Sequence, residues 1–265
     1  MDPRDASAVM ERAARAAGAV LMEGWRSASL AVERKGVIDL VTRWDRASED
    51  LLRRELGAAL PDVALVAEEG GGREARDDRP TLWVDPLDGT TNFVHGHAFF
   101  AVSVGLAVGR ELVASVVHAP ALGNTWVAAK GHGATRDGSP CRVSAVSALD
   151  DALLATGFPY DNRTNPRNNL AEFAALTTMT QGVRRCGSAA LDLCLTADGT
   201  FDGYWERSLK PWDLAAGMLL VSEAGGSLSA LDGGPHDFRS GSVVASNGAL
   251  HRALLDALAP FERPQ

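Results

Sequence analysis

A chain of 265 residues suits one large domain or two packed halves, and 46% apolar with 23% charged residues is a globular composition that excludes disorder and low-complexity structure. No apolar run approaches the ~18 residues of a membrane span. No basic patch with an apolar stretch opens the chain, and Cys141, Cys186 and Cys194 are too scattered for a disulfide scaffold, so a reducing cytoplasm is the expected compartment. The formal charge of −8 disfavours nucleic acid and membrane surfaces as direct partners, and an anionic substrate would need bound cations to reverse the local sign.

Asp2-Pro3 reads as a helix start, followed by Val9, Ala13, Ala16, Ala17, Val20 and Leu21 at helical spacing. A second helix is predicted from about Asp45, with Leu51, Leu52, Leu56 and Leu60 on one face and Pro61 ending it. Val63 to Ala67 reads as a buried strand that ends in Glu68-Glu69 and three glycines, and Thr81 to Val84 as a strand that ends at Asp85. From Phe99 to Lys130 apolar and polar residues alternate between turn-like breaks, and Asp137-Gly138 is a hairpin signal. After about Asp150 strands and helices take turns. Strands are predicted in 152–158, 201–206, 227–231 and 242–246, and helices in 168–180, 189–197, 213–224 and 248–258. The expected fold is α/β in the broad sense (α+β). It has an antiparallel-sheet N-terminal half, residues 1–148, and an α/β C-terminal half, residues 149–265.

Three acidic segments carry the chemical signal. Glu68-Glu69 ends one strand. Asp85-Pro86-Leu87-Asp88-Gly89-Thr90-Thr91-Asn92 ends another, where Pro86 favours an extended Asp85, Gly89 permits a sharp turn, and the following hydroxyls and amides sit where a helix could begin and hold a phosphate. Trp212-Asp213-Leu214-Ala215-Ala216-Gly217 opens a small-residue helix with Asp213 as its cap or first turn. Each segment alone also reads as structure: a solvated strand end, a β-turn, a helix cap. Carboxylates that converge in space repel one another unless cations hold them, and hard oxygen ligands suit Mg²⁺.

Taken together, these segments resemble the inositol monophosphatase family of Mg²⁺-dependent, lithium-sensitive phosphomonoesterases. Lys35, residues 38–42, Asp45, Gly187 to Ala190, Glu206 and the Glu223-Ala224-Gly225-Gly226 run extend the likeness along nearly the whole chain. The resemblance implies a layered αβαβα sandwich and a homodimer. It implies that Glu68, Asp85 and the Leu87 carbonyl hold one Mg²⁺, that Asp85, Asp88 and Asp213 hold a second, and that a third, weaker one sits near Glu68. Thr90, polarised by Asp45, would orient the water, with Glu68 beside them in the catalytic set. Gly89, Thr90 and Thr91 would face the phosphate, while Gly187, Ser188, Ala189, Glu206 and Asp213 would line the pocket for the rest of the substrate.

Thr91-Asn92 resembles the inositol type, where relatives with other substrates often carry lysine. Lys210 near the mouth keeps other phosphates open. The expected activity is hydrolysis of inositol 1-phosphate; the alternatives are histidinol-phosphate or fructose-1,6-bisphosphate hydrolysis, or a role as a partner of the transcription machinery. Arg184-Arg185 reads equally as an anion site or an interface. His95 and His97, Cys186 and Cys194, and Tyr204, Trp205 and Trp212 read as structural.

Overall fold

The structure is a computed structural model that describes residues 1–27, 30, 32–36, 38–72 and 79–262. Helix α1 (Pro3–Gly24) begins with the Asp2 side chain accepting the Arg4 N–H at 2.9 Å and proline at the first position. A short antiparallel ribbon, β1 (Glu33–Arg34) and β2 (Leu40–Val41), leads to α2 (Arg43–Ala59). That helix starts at Arg43 rather than Asp45 because Thr42 caps it: its hydroxyl accepts the Trp44 N–H at 3.1 Å, and Asp45 accepts the Thr42 N–H at 2.8 Å.

The larger sheet runs in chain order through β3 (Ala64–Ala67), β4 (Pro80–Asp88), β5 (Ala101–Val108), β6 (Glu111–Ala119), β7 (Asn124–Ala129), β8 (Ala134–Arg136) and β9 (Ser139–Pro140). It is antiparallel except at its edge, where β3 pairs parallel with β4. β4 also runs past the predicted end at Asp85 and carries Pro86 to Asp88 within it. Its pairing with β5 slips between Asp85 and Asp88. In a regular strand residues three apart face opposite ways, and the irregularity lets both carboxylates face one side. The single-turn helix α3 (Thr90–Val94) follows at once.

The second sheet has the order β11-β10-β12-β14-β13. In chain order its elements are β10 (Leu153–Thr156), α4 (Leu170–Thr177), β11 (Gly182–Arg184), α5 (Ala189–Ala197), β12 (Gly203–Glu206), α6 (Pro211–Glu223), β13 (Ser227–Ser229), β14 (Val243–Ser246) and α7 (His251–Leu258). β10 pairs parallel with β11 and β12, and β14 antiparallel with β12 and β13. The edge strand β11 is too short to show alternation and was not predicted.

Three cores separate the layers. α1 and α2 cover one face of the larger sheet with Met10, Leu21, Leu52 and Leu56. α5 and α6 fill the space between the sheets, and α4 and α7 cover the far face of the smaller one. The period of two is visible in β12: Tyr204 joins the central core and Trp205 the outer one, both fully buried. The result is the αβαβα sandwich. Among the described residues no helix is long and apolar enough to cross a membrane.

Candidate active site

A cavity of about 280 Å³ opens where the end of β4, the start of α3, the N-terminus of α5, the end of β12 and the N-terminus of α6 meet. Glu68, Asp85, Asp88, Thr90, Glu206 and Asp213 all line it. Asp45 lies behind Thr90, only 1% exposed. The Thr90 hydroxyl donates to Asp45 Oδ1 at 2.9 Å, with the Leu87 carbonyl a second acceptor at 3.1 Å. The other Asp45 oxygen accepts the Thr42 N–H and, at 2.6 Å, the Thr42 hydroxyl. Burial pushes the Asp45 carboxyl up to about 6 against the pull of these donors. Gly89 turns the chain into α3 with φ 91°. A side chain there would strain the backbone and bring its first carbon to 3.0 Å from the Phe99 carbonyl.

Each acidic group is anchored by at least one hydrogen bond. Asp85 accepts the Leu87 N–H at 2.9 Å. Asp88 accepts the Ser188 hydroxyl at 2.6 Å and the Ala190 N–H at 2.7 Å, and so sits on the N-terminus of α5. Asp213 accepts the Lys210 N–H at 2.7 Å across the first turn of α6. Burial first, and then the charges of Glu68, Asp88 and Asp213, hold the Asp85 carboxyl well above the usual range. Burial and then Asp88 do the same to Asp213. Glu68 is raised by burial against the opposing pull of Lys35, whose ammonium bonds it at 3.0 Å and also pairs with Glu69. The single Lys35 ammonium leaves the converging carboxylates of Glu68, Asp85, Asp88 and Asp213 short of positive charge, and such hard oxygens fit a divalent cation. Among the described residues no three acidic, histidine or cysteine groups close into a cage. Mg²⁺ needs none, since it binds through one or two carboxylates with water and phosphate oxygens.

Residues 2–261 match the inositol monophosphatase family. The chain belongs to that family, and with it to the phosphoric monoester hydrolases. It is 44% identical to an inositol-1-monophosphatase of Synechocystis over 92% of this chain and 85% of that protein. It is 42% identical to the Nus factor SuhB of Pseudomonas aeruginosa over 96% of this chain and 95% of that one. The solved inositol monophosphatase of Anabaena superposes with a TM-score of 0.88 at 41% identity, covering 96% of this chain and 95% of the other.

In this member of the family the far end of the cavity is built from Gly157, Arg185, Gly187, Ser188, Ala189 and Glu206. The Tyr204 hydroxyl donates to Glu206. Burial pushes the Glu206 carboxyl up to about 7, opposed by that bond and by the charge of Arg185. Thr91 is exposed and is not among the residues lining the cavity. The Asn92 amide is committed to the carbonyls of Phe99 at 2.6 Å and Cys186 at 2.9 Å, tying α3 to the Gly187 loop. Cys141 and Cys194 are buried thiols, and Trp212 is half-buried with an edge on the cavity.

Besides Asp45, which the sequence reading singled out, several supporting residues escaped it. On α2, Asp45, Ser48 and Glu49 share a buried stripe with Leu52 and Leu56. Ser48 donates to the Pro86 carbonyl at 2.8 Å, and Glu49 accepts the N–H groups of Glu69 and Gly70, each at 2.8 Å. One helix face therefore anchors the three segments that carry Glu68, Asp85 and Thr90. Polar residues at i, i+3 and i+4 within an apolar stripe were the available signal. Gly157 is fixed by packing, because a β-carbon there would lie 2.2 Å from the Glu206 carboxylate oxygens. Asp192 on α5 lies beneath the cavity, 1% exposed, and burial followed by the charges of Glu206 and Asp88 holds its carboxyl well above the usual range.

Proposed function

We propose that this chain hydrolyses myo-inositol monophosphate to inositol and phosphate with Mg²⁺ in the cavity. The convergence of Glu68, Asp85, Asp88 and Asp213 beside the Thr90–Asp45 pair carries the reading, and inositol-1-monophosphatases at 42–44% identity support the substrate. Glu68, Asp85 and the Leu87 carbonyl would hold one ion, Asp85, Asp88 and Asp213 a second, and the Glu68 neighbourhood a weaker third. When bound, such ions neutralise the phosphate and lower the pKa of attacking water.

The protein's own groups do the positioning. With its proton given to Asp45, the Thr90 oxygen is left to accept a hydrogen bond from water, and Asp45 Oδ1 is one bond further along to receive the proton. Glu68 closes the same side. The Gly89 and Thr90 amides at the start of α3 face the phosphate. At the far end Glu206 accepts a hydroxyl of the leaving group, with Gly187 to Ala189 forming the wall.

A panel of phosphomonoesters with and without Mg²⁺ tests this reading. Turnover should be greatest on inositol phosphates, vanish in excess EDTA and return on Mg²⁺ addition. Full turnover in chelator sinks it. Glu206 supplies a pH test, since its carboxylate form accepts the hydroxyl. KM for inositol 1-phosphate is expected to fall as pH rises through about 7, while KM for an aryl phosphate, which lacks hydroxyls, stays flat in comparison. Glu206→Gln should abolish the difference. The raised carboxyl also weakens the fold as pH rises from the unfolded value of ~4.3 toward 7, because the unfolded chain ionises first. Glu206→Gln should therefore melt higher than the parent at pH 7.5 in calorimetry.

A homodimer is part of the same reading. Relatives named Nus factor SuhB support a second role as a protein partner of the transcription machinery, alongside turnover.

A further inference from the structure

The parallel pairing of β10 with β12 sets Thr156 opposite Trp205, and the next residues along, Gly157 and Glu206, meet at the cavity. A third element grips both strand ends. Asn169 precedes α4 with a left-handed backbone, φ 68° and ψ 6°, at the position where an asparagine side chain ordinarily caps the helix. It makes no such cap. Its amide turns inward instead and donates to the Thr156 hydroxyl and to the Gly157 carbonyl, each at 2.7 Å. The Thr156 hydroxyl donates in turn to the Trp205 carbonyl, and the Trp205 indole N–H donates back to the Asn169 side-chain oxygen at 2.6 Å. Three fully buried side chains thus close a ring of hydrogen bonds in which every side-chain donor is used. On the other side of Glu206 the Arg207 guanidinium, 5% exposed, is held at 2.9 Å by Glu172 in the first turn of α4. The start of α4 therefore holds both chain neighbours of Glu206.

We infer that Asn169 is a positioning residue for the Glu206 carboxylate: by fixing the Gly157 carbonyl beside it and Trp205 before it, Asn169 sets where that carboxylate stands. This rests on the reading of Glu206 as the acceptor of a substrate hydroxyl. A β-carbon on Gly157 would lie 2.2 Å from the carboxylate oxygens, so backbone and carboxylate are in contact and a shift of one moves the other. The Tyr204 hydroxyl holds one of those oxygens from the opposite side. A hydrogen bond to substrate weakens steeply with lost alignment, and a misplacement of about 1 Å can cost on the order of 10²-fold. A ring that served stability alone would leave the recognition of hydroxyls untouched in a folded variant.

The test is steady-state kinetics of Asn169→Gly with Mg²⁺, on inositol 1-phosphate and on an aryl phosphate that lacks hydroxyls. Glycine keeps the left-handed backbone and removes only the side chain. KM for inositol 1-phosphate is expected to rise about tenfold, within the worth of one hydrogen bond to a charged group, while kcat and KM for the aryl phosphate change by less than about threefold. In the Glu206→Gln background the same substitution should add less than about twofold, because it acts through that carboxylate. Thr156→Val breaks the ring while keeping its shape and should reproduce the KM rise, and Thr156→Ser keeps the hydroxyl and should stay close to the parent. Melting curves establish that each variant is folded, and the Thr156 pair carries the test if Asn169→Gly does not fold. An unchanged KM, an equal rise for both esters, or an undiminished rise in the Glu206→Gln background overturns the inference. Failure of the hydrolysis reading shows separately, as absent turnover by the parent. A crystal structure of metal-free Asn169→Gly then decides the positioning on its own. A Glu206 carboxylate displaced from Tyr204 and Gly157 supports it, and one left in place overturns it.

Discussion

Asp85→Asn is expected to abolish turnover, by roughly 10³-fold or more, and at the same time to raise the melting temperature of the metal-free protein. The two effects have one cause. Asp85 is 2% exposed, and its ionised form is opposed by burial and by three neighbouring carboxylates. The folded state therefore holds its proton more tightly than the unfolded chain does. Stability then falls as pH rises above the unfolded value of ~3.9, because the unfolded chain releases that proton first. Asparagine removes the charge and keeps an oxygen for the Leu87 N–H, now 2.9 Å away, so the local turn survives. The loss of turnover follows if, as proposed, Asp85 is common to both cation sites, since such an electrostatic deletion costs ~10²–10³ even for a single neutral donor. Calorimetry at pH 5 and pH 8, with EDTA or Mg²⁺, checks the pair. The parent should gain stability from Mg²⁺, about 2.7 kcal/mol at a hundredfold excess over Kd, and in EDTA it should lose more than the variant does between pH 5 and pH 8. The variant should gain little from Mg²⁺. A metal-free variant that melts below the parent, with an undiminished response to Mg²⁺, would falsify the assignment of Asp85 as a shared ligand.

What the sequence disclosed about the fold follows the range of the interactions involved. Elements fixed by neighbours along the chain lie where residue type and period put them. Ala189–Ala197 is helical over the predicted residues, Ala101–Val108 is the predicted alternating run, and Asp137-Gly138 makes its hairpin with φ 51° and 79°, the left-handed pair of a tight turn. The acidic residues picked out at strand ends and helix starts line one cavity, because loops between such elements gather at one edge of the layers. What stayed hidden depends on contacts distant in sequence. Pro86 and Leu87 read locally as a turn, yet the pairing of Asp85 and Asp88 on either side of them with β5 carries the strand through. Glu49 reads as one more charge on a helix until the Glu69-Gly70 amides, about twenty residues on, come to rest on it. Gly157 carries no local signal, since its constraint comes from Glu206 on the neighbouring strand.

Thr90→Ala should lower kcat by ~10²–10⁴, the usual worth of a positioned proton-transfer group, with little change in KM. The hydroxyl stands between two fixed acceptors: Asp45 at 2.9 Å behind it and the Leu87 carbonyl at 3.1 Å beside it. Its one proton is thereby spoken for, and only its lone pairs face the cavity to orient water. The substrate contacts proposed for Glu206 and the Gly187 loop lie at the other end of the cavity, which is why KM should hardly move. Alanine also leaves Asp45 Oδ1 buried without a donor, a loss on the order of 1–3 kcal/mol, so a lower melting temperature is expected and does not by itself distinguish a catalytic part from a structural one. Thr90→Ser and Thr90→Val make that distinction. Serine restores the hydroxyl and should recover most of kcat. Valine matches threonine in shape without the oxygen, so it should stay as slow as alanine even where its packing recovers stability. Steady-state rates on inositol 1-phosphate, measured well below each variant's melting temperature, decide it. A folded Thr90→Val protein that turns over at the parent rate would remove Thr90 from the path of the water and leave Asp45 as the buried cap of α2 alone.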